Sequence, residues 1–140
     1  MAQLEPDLLQ HLKAQSALMA IVDGVYAGRV PAHPETSTAV AFYRIAADRA
    51  YCLESELDVC RALMVIAAIA KGEQAAQRAL DAFEQIRAAL SMYRGQMNGG
   101  VFIHCATLES ETLEMPFEPL DASDDWPQRY LGNWRISYTN

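Results

Sequence analysis

The stretch from residue 72 to residue 95 constrains the fold more than any other part of this sequence. Its apolar side chains recur three or four positions apart, as they do along one stripe of a helix; they are Ala76, Leu80, Phe83, Ile86, Leu90 and Tyr93. Gly72 suits a helix start, and Gly95 suits the residue after a helix end. We therefore predict one long helix, whose apolar stripe is covered by strands from both sides of it.

Four segments of the chain have the pattern of strands. They are residues 39–46, 57–70, 101–115 and 128–139. In the last one, Trp134 and Ile136 point one way while Arg135 and Ser137 point the other, as in a half-buried antiparallel strand. Of the other segments, residues 4–22 have a helical pattern and residues 25–30 form a short extended piece. Residues 31–38 and 116–127 are predicted to be loops, and residues 47–56 a polar connection.

The strand over residues 57–70 is apolar on both faces. One face carries Leu63, Val65 and Ile69, and the other carries Met64, Ile66 and Ala68. A helix over residues 62–70 is the alternative, but the β-branched residues and the alternation favour a strand. Such a strand lies inside a sheet or at a subunit contact. We predict that the long helix covers one face and that Met64, Ile66 and Ala68 contact a partner subunit.

These elements predict an α+β fold in a single domain over residues 1–140. Its sheet is four-stranded and mainly antiparallel, with one long helix packed on a face and a short N-terminal helix. The long helix provides the crossover between two antiparallel strand pairs. No internal repeat or linker divides the sequence.

Composition excludes several classes of function. The net charge of −7 argues against binding to nucleic acid by phosphate neutralisation and against binding to an anionic membrane surface. The three cysteines are an odd number without a close pair, which does not indicate a disulfide framework. The N-terminus does not have the pattern of a signal peptide, and no apolar run is long enough to span a membrane.

An acidic block without any basic residue begins within the third predicted strand and continues into the loop after it. Its members are Glu109, Glu111, Glu114, Glu118, Asp121, Asp124 and Asp125. The last three suggest calcium, but the glycine and the distal glutamate of an EF-hand loop are missing, so a solvated loop is the better interpretation. Trp126, next to the block, either anchors a protein contact or packs beneath the loop.

Catalytic and metal-binding patterns are weak in this sequence. His104 and Cys105 are adjacent, and neighbouring side chains on a strand point to opposite faces, so they do not form a nucleophile and base pair. We predict that Cys105 is a core residue. Cys52 and Cys60 lack the second close pair of a zinc site. We therefore expect no enzyme activity, no cofactor and no metal.

The chain resembles the small tail-completion, or tail-terminator, proteins of long-tailed phages, prophages and gene transfer agents. The similarity rests on the order of patterns. A Leu-rich opening is followed by SALMAIVDGVYAGRVP at residues 16–31, the strand AVAFYRIAA, and the passage DVCRALMVIAAIAKGEQAAQRALDAFEQIRAAL. A turn, a strand, an acidic stretch and a closing strand complete it.

This resemblance implies a structural virion protein. Its expected partners are further copies of itself in a homohexameric ring, the tail-tube protein and a head-completion or connector protein. The ring would cap the tail tube, stop its polymerisation and present the surface for head joining, at the head-proximal end of the tail. The protein would be made in the bacterial cytoplasm.

The acidic block and Trp126 would then face a partner or the ring lumen, through which DNA passes without specific binding. Two alternatives are a head-completion or neck connector protein, and a small enzyme or ligand-binding domain that uses His104.

Overall fold

In a computed structural model, the described residues are 4–28, 38–51, 56–114 and 128–139. They form a mixed α+β fold, as predicted. The elements are, in chain order, α1 (Leu4–Lys13), α2 (Ser16–Met19), β1 (Gly24–Ala27), β2 (Thr38–Tyr51), β3 (Glu56–Ala70), α3 (Ala75–Leu90), β4 (Gly95–Gln96), β5 (Phe102–Glu114) and β6 (Gln128–Thr139).

The sheet has six strands in the order β1-β2-β3-β6-β5-β4. The pairs β2–β3 and β5–β6 are antiparallel, and α3 lies between them in the chain. The prediction of four strands is wrong, because two short edge strands extend the sheet. β1 runs parallel to β2, and β4 is only two residues long. Strands this short leave almost no alternation pattern in a sequence.

β3 lies inside the sheet, with β2 on one side and β6 on the other. It runs from Glu56 to Ala70, which confirms the strand over the alternative helix. β2 continues to Tyr51, whereas the sequence predicted a polar connection from residue 47. Pairing with β3 holds this polar segment extended, because Arg49 lies opposite Cys60 and Tyr51 lies opposite Glu56.

α3 covers one face of the sheet with a stripe that shares Phe83, Ile86 and Leu90 with the predicted one, whereas Ala75 and Ala79 are buried in place of Ala76 and Leu80. Its buried residues follow the three-to-four spacing: Ala75, Ala79, Ala82, Phe83, Ile86 and Leu90. The helix is shorter than predicted, because Gln74 in a left-handed conformation (φ 57°) precedes it, and Gly95 already belongs to β4. Neither Gly72 nor Gly95 is therefore a cap.

The description of a single long helix is also incomplete, because α1 contributes Leu4, Leu8 and Leu12 to the same core, each fully buried. Polar contacts join α1 to distant parts of the chain. The Asp7 carboxylate, itself 5% exposed, accepts a hydrogen bond of 2.9 Å from the Val101 backbone N–H. The His11 Nε2 atom lies 3.1 Å from the Ala89 carbonyl oxygen at the end of α3.

Arg78 joins the start of α3 to the sheet. Its guanidinium group donates hydrogen bonds to the carbonyl oxygen of Lys71 and, at 2.7 Å, to the Thr38 hydroxyl. The Thr38 backbone N–H in turn donates to the Asp23 carboxylate at 3.0 Å. The end of β3, the start of β2 and the residue before β1 are thus held together at one end of the sheet.

Candidate functional site

The predicted subunit contact, Met64, Ile66 and Ala68, lies in the core of the chain. All three side chains are fully buried within the monomer, beneath the helices. Met64 lies opposite Trp134 on β6, which is also fully buried. The assignment of faces is therefore wrong: the face of β3 that was left for a partner is the face that the helices cover. A partner cannot reach these three side chains without unfolding the core.

The opposite face of β3 carries Leu63, Val65, Ala67 and Ile69. Val65 and Ala67 are 5% and 6% exposed, yet neither belongs to the core cluster under the helices. In the register of the sheet, Val65 lies opposite Tyr43 of β2, whose side chain is 51% exposed. This second face, which we call the far face, combines small shielded residues with an exposed aromatic ring.

The first part of the acidic block lies on β5, in agreement with the strand predicted over residues 101–115. Glu109 and Glu111 are exposed. Glu109 forms an ion pair of 2.7 Å with Arg135 of β6, and Glu111 accepts a hydrogen bond of 3.5 Å from the Tyr130 hydroxyl. Glu114 ends the strand. The remaining members lie outside the described residues: Glu118, Asp121, Asp124, Asp125 and Trp126.

β5 therefore presents carboxylates on both faces of the sheet, each held by a β6 side chain: Glu109 by Arg135 on the far face, and Glu111 by Tyr130 on the face that the helices cover. These contacts fix the direction of the carboxylates without neutralising the segment, because Tyr130 carries no charge and Arg135 pairs with one acid only. Exposed pairs of this kind contribute at most about 1 kcal/mol to stability. The arrangement is thus better suited to a surface for contact or repulsion than to holding the fold.

His104 and Cys105 do not form a catalytic pair. The His104 Nε2 atom lies 3.3 Å from the Thr139 hydroxyl, and its ring contacts Phe102 at 4.9 Å. Cys105 is half-buried and lies opposite Ser137, outside the core cluster. The prediction that Cys105 is a core residue is wrong, because the register of β5 shifts between residues 103 and 105 and turns Cys105 to the far face.

Within the described ranges, no group of three or more His, Cys, Asp or Glu residues is arranged to hold a metal ion. Among the helices of those ranges, none combines the length and the apolar character needed to cross a membrane.

Trp134 is a core residue, as the alternation of β6 predicted. Ile136 and Tyr138 follow it on the same face, and all three are less than 5% exposed. Tyr138 also lies beside the Arg44 guanidinium, 5.8 Å from the ring centre, and Arg44 pairs with Glu5 of α1 at 2.7 Å. Sequence reasoning missed this cluster, because its members come from three distant segments and no local pattern marks them.

Solved structures include chains that are similar to this one. No curated protein matches the chain. A chain of the solved virion of a native gene transfer agent (GTA) particle has a TM-score of 0.74 at 19% identity, over 98% of this chain and 95% of that chain. A chain of the sheath/tube terminator of an extracellular contractile injection system, in the extended state, has a TM-score of 0.43 at 16% identity, over all of this chain and 58% of that one.

The family model described as Tail completion protein gp17 matches residues 6–116. The match begins in α1 and ends just beyond β5, so it includes α3 and five of the six strands. The likeness to the gene transfer agent chain extends over β6 and shows that the whole fold is shared. The resemblance predicted from the sequence is confirmed: the chain belongs to the tail completion protein family, and it is a structural protein of the virion tail.

Proposed function

We propose that this chain, as a single domain, forms a homohexameric ring that caps the tail tube. The ring binds the end of the tube when the tube has reached its length, stops further polymerisation and presents a surface to which the head is joined. The family match over residues 6–116 carries this proposal. The partners are further copies of the chain, the tail-tube protein on one side and a head-completion or connector protein on the other. The ring sits at the head-proximal end of the tail.

A structural role without catalysis is part of the proposal. The His104 ring contacts the Thr139 hydroxyl and the Phe102 ring, and no contact in the described part of the chain joins it to a carboxylate. The buried contact of Asp7 with the Val101 N–H joins α1 to the residue before β5. These side chains serve the rigidity of the fold.

The charge of the chain fits the passage of DNA through the ring lumen. A lumen or partner surface that includes either face of β5, with Glu109 on one face and Glu111 on the other, repels phosphate groups, so that DNA slides past without specific binding. The net charge of −7 has the same effect over longer distances, up to the Debye length of about 8 Å at physiological salt. The remaining residues of the acidic block, together with Trp126, face the same lumen or a partner protein in this proposal.

The capping function is tested by deleting the gene from its particle and measuring tails by electron microscopy. We expect tubes of uncontrolled length without heads, and restoration of one length by the wild-type gene. A second candidate, the head-completion or connector protein, predicts tails of normal length that are not joined to heads. Tubes of normal length in the deletion strain contradict capping and favour that second candidate.

The acidic surface is tested by charge reversal on β5. We expect the triple change Glu109→Lys, Glu111→Lys and Glu114→Lys to reduce the yield of infectious or transducing particles at least tenfold, with an unchanged circular dichroism spectrum. A control reverses the same number of acids near or on α3: Glu73→Lys, Asp81→Lys and Glu84→Lys, all exposed in the monomer. An equal yield from both variants contradicts a specific role of the β5 carboxylates.

A further inference from the structure

β2 and β5 are long strands whose outer edges are only partly covered by the short strands β1 and β4. β1 pairs with β2 from Ala39 to Phe42, and the Gly28 N–H donates a hydrogen bond of 2.7 Å to the Phe42 carbonyl. Beyond this point, residues 43–51 have β3 on one side and, among the described residues, no strand on the other. We call residues 43–51 the β2 edge. No strand of the described ranges pairs with their outward N–H and C=O groups, and such groups are a template for pairing with another strand.

The opposite side of the sheet has the same arrangement. β4 pairs only with Phe102 and Ile103 of β5, and the Met92 N–H donates to the Ala106 carbonyl at 2.9 Å. From residue 107 to residue 114, the described structure places β6 on one side of β5 and no strand on the other. We call residues 107–114 the β5 edge.

The two open edges lie on opposite sides of the sheet and at opposite ends. Through the registers of β3 and β6, the start of β2 is level with the end of β5, and the end of β2 is level with the start of β5. A second copy in the same orientation therefore presents its β5 antiparallel to the β2 of the first. A stagger along the strands, as in a ring of tilted strands, brings the two open edges together.

Exposed apolar side chains mark both edges. Of the five large hydrophobic side chains exposed in the described chain, three belong to these edges: Tyr43 at 51%, Ile45 at 53% and Leu113 at 40%. An antiparallel alignment of residues 43–51 with residues 107–114 places Tyr43 and Ile45 near Leu113. Pairing of the edges would therefore bury apolar surface that a monomer leaves in water.

The charges of the two edges favour pairing between unlike edges. The β2 edge, YRIAADRAY, carries two arginines and one aspartate, whereas the β5 edge, TLESETLE, carries three glutamates and no base. Two β5 edges repel each other, whereas a β2 edge, on which Arg44 is already paired with Glu5, brings no excess of acid to a β5 edge. The β2 edge has register shifts at residues 45 and 50, and the β5 edge has one at residue 109, which reduces indiscriminate pairing. The occupant that fits each edge is thus the other edge of a second copy.

We propose that the β2 edge of one copy pairs with the β5 edge of the next, so that the sheet continues from copy to copy. A contact between two different surfaces of the same chain is head-to-tail, and it produces a closed ring when the rotation between copies closes. This inference rests on the proposed ring and identifies the contact that builds it. It also replaces the contact through Met64, Ile66 and Ala68, which the core occupies.

The test uses one substitution on each edge. Ile45→Glu places an acid on the β2 edge opposite the glutamates, and Leu113→Lys places a base on the β5 edge opposite the arginines. Both side chains are exposed, so the monomer should keep its circular dichroism spectrum and its midpoint of unfolding. The matched controls are Ile21→Glu and Met92→Lys, which change the other two exposed apolar side chains in the same way.

Native mass spectrometry of the full chain then gives the number of copies. We expect the wild type and both controls to form the same multiple of 15.5 kDa, and each edge variant alone to be a monomer. An equimolar mixture of the two edge variants should form assemblies with equal numbers of both, from a one-to-one dimer upward, because an intact β2 edge meets an intact β5 edge and the new acid and base attract each other at the other contact. Assembly that occurs in the mixture and in neither variant alone is specific to head-to-tail pairing, since pairing of like edges would let a variant dimerise alone.

Three results overturn the inference: an edge variant that keeps the wild-type number of copies, a mixture that stays monomeric, or a wild type that is monomeric at every concentration. The capping function is read separately, from tail length in the deletion strain. Rings that form through other surfaces refute the edge contact and leave capping intact. Rings that form through these edges, in a protein whose loss leaves tail length unchanged, refute capping alone.

Discussion

Phe42 and Tyr43 are consecutive aromatic residues on β2, and they offer a direct test of how the two faces of the sheet are used. Phe42 is fully buried in the core under the helices, whereas Tyr43 is 51% exposed on the far face. We therefore expect Phe42→Ala and Tyr43→Ala to have very different effects on the free energy of unfolding, although the two substitutions remove rings of almost equal size from the same strand.

The expected magnitudes follow from burial. Truncating a fully buried Phe removes its transfer free energy and leaves a cavity, at a cost of about 3–5 kcal/mol. For a chain of this length we expect the midpoint of thermal unfolding to fall by about 10–15 °C. Tyr43→Ala removes a side chain that is already half exposed, together with its cross-strand pairing with Val65. A cross-strand pair of this kind contributes about 0.2–1 kcal/mol to stability. Its midpoint should fall by no more than about 4 °C.

The assay is thermal unfolding followed by circular dichroism, at a concentration where mass measurement shows monomers, so that assembly does not contribute to stability. Tyr43→Ala should instead weaken assembly at higher concentration, because Tyr43 begins the β2 edge. Equal losses of stability for the two variants would refute the assignment of faces. A larger loss for Tyr43→Ala would mean that the far face, and not the helix-covered face, holds the core.

Three further predictions concern residues inside the fold. Asp7→Ala should cost about 1–3 kcal/mol in urea unfolding, because the Val101 N–H loses its acceptor in a buried site, and Asp7→Asn should cost less. Burial raises the pKa of the Tyr138 hydroxyl above 10.0, and Arg44 offsets part of this increase. Because the hydroxyl ionises at a lower pH in the unfolded chain, its contribution to stability is complete below pH 10 and is lost as the pH rises further. Tyr138→Phe should remove this part of the decline in unfolding free energy at high pH. Gly132→Ala should cost about 1–3 kcal/mol in the same unfolding assay, because its added methyl group would lie 2.9 Å from three core side chains; an unchanged midpoint would contradict the packing around β6.

Sequence patterns predicted those elements whose environment is the same along their whole length. β6 was predicted with the bounds it has, because one face is buried and the other is not, so period-two alternation persists from residue 128 to residue 139. The stripe of α3 was predicted in part: Phe83, Ile86 and Leu90 are buried as expected, but the first two turns bury Ala75 and Ala79 and not Ala76 and Leu80. The ends of α3 were not predicted, because they depend on left-handed backbone at Gln74 and Met92, two residue types that do not indicate it.

The faces of β3 could not be assigned from sequence, because both are apolar. The assignment depends on register: Met64 lies opposite Trp134, and the bulky residues of β6 decide which side the helices cover. Register between distant strands leaves no local mark in a sequence. The same limit applies to Cys105, which a single shift at residue 104 moves from the core face to the far face.

The corrected faces also change where assembly surfaces should be sought. A two-faced apolar strand suggested that a partner covers its second face, but Val65 and Ala67 are already shielded, and their small exposed area gives a partner little to bind. The exposed apolar side chains lie instead at the two edges, beside backbone groups without a strand partner in the described sheet. Pairing of the edges uses the apolar side chains and the backbone groups together. Its main-chain hydrogen bonds fix the angle between two copies, which a flat apolar contact does not. For a protein that must form a closed ring, such a fixed angle between copies is the physical requirement, so the edges are the surfaces on which mutations should first separate assembly from folding.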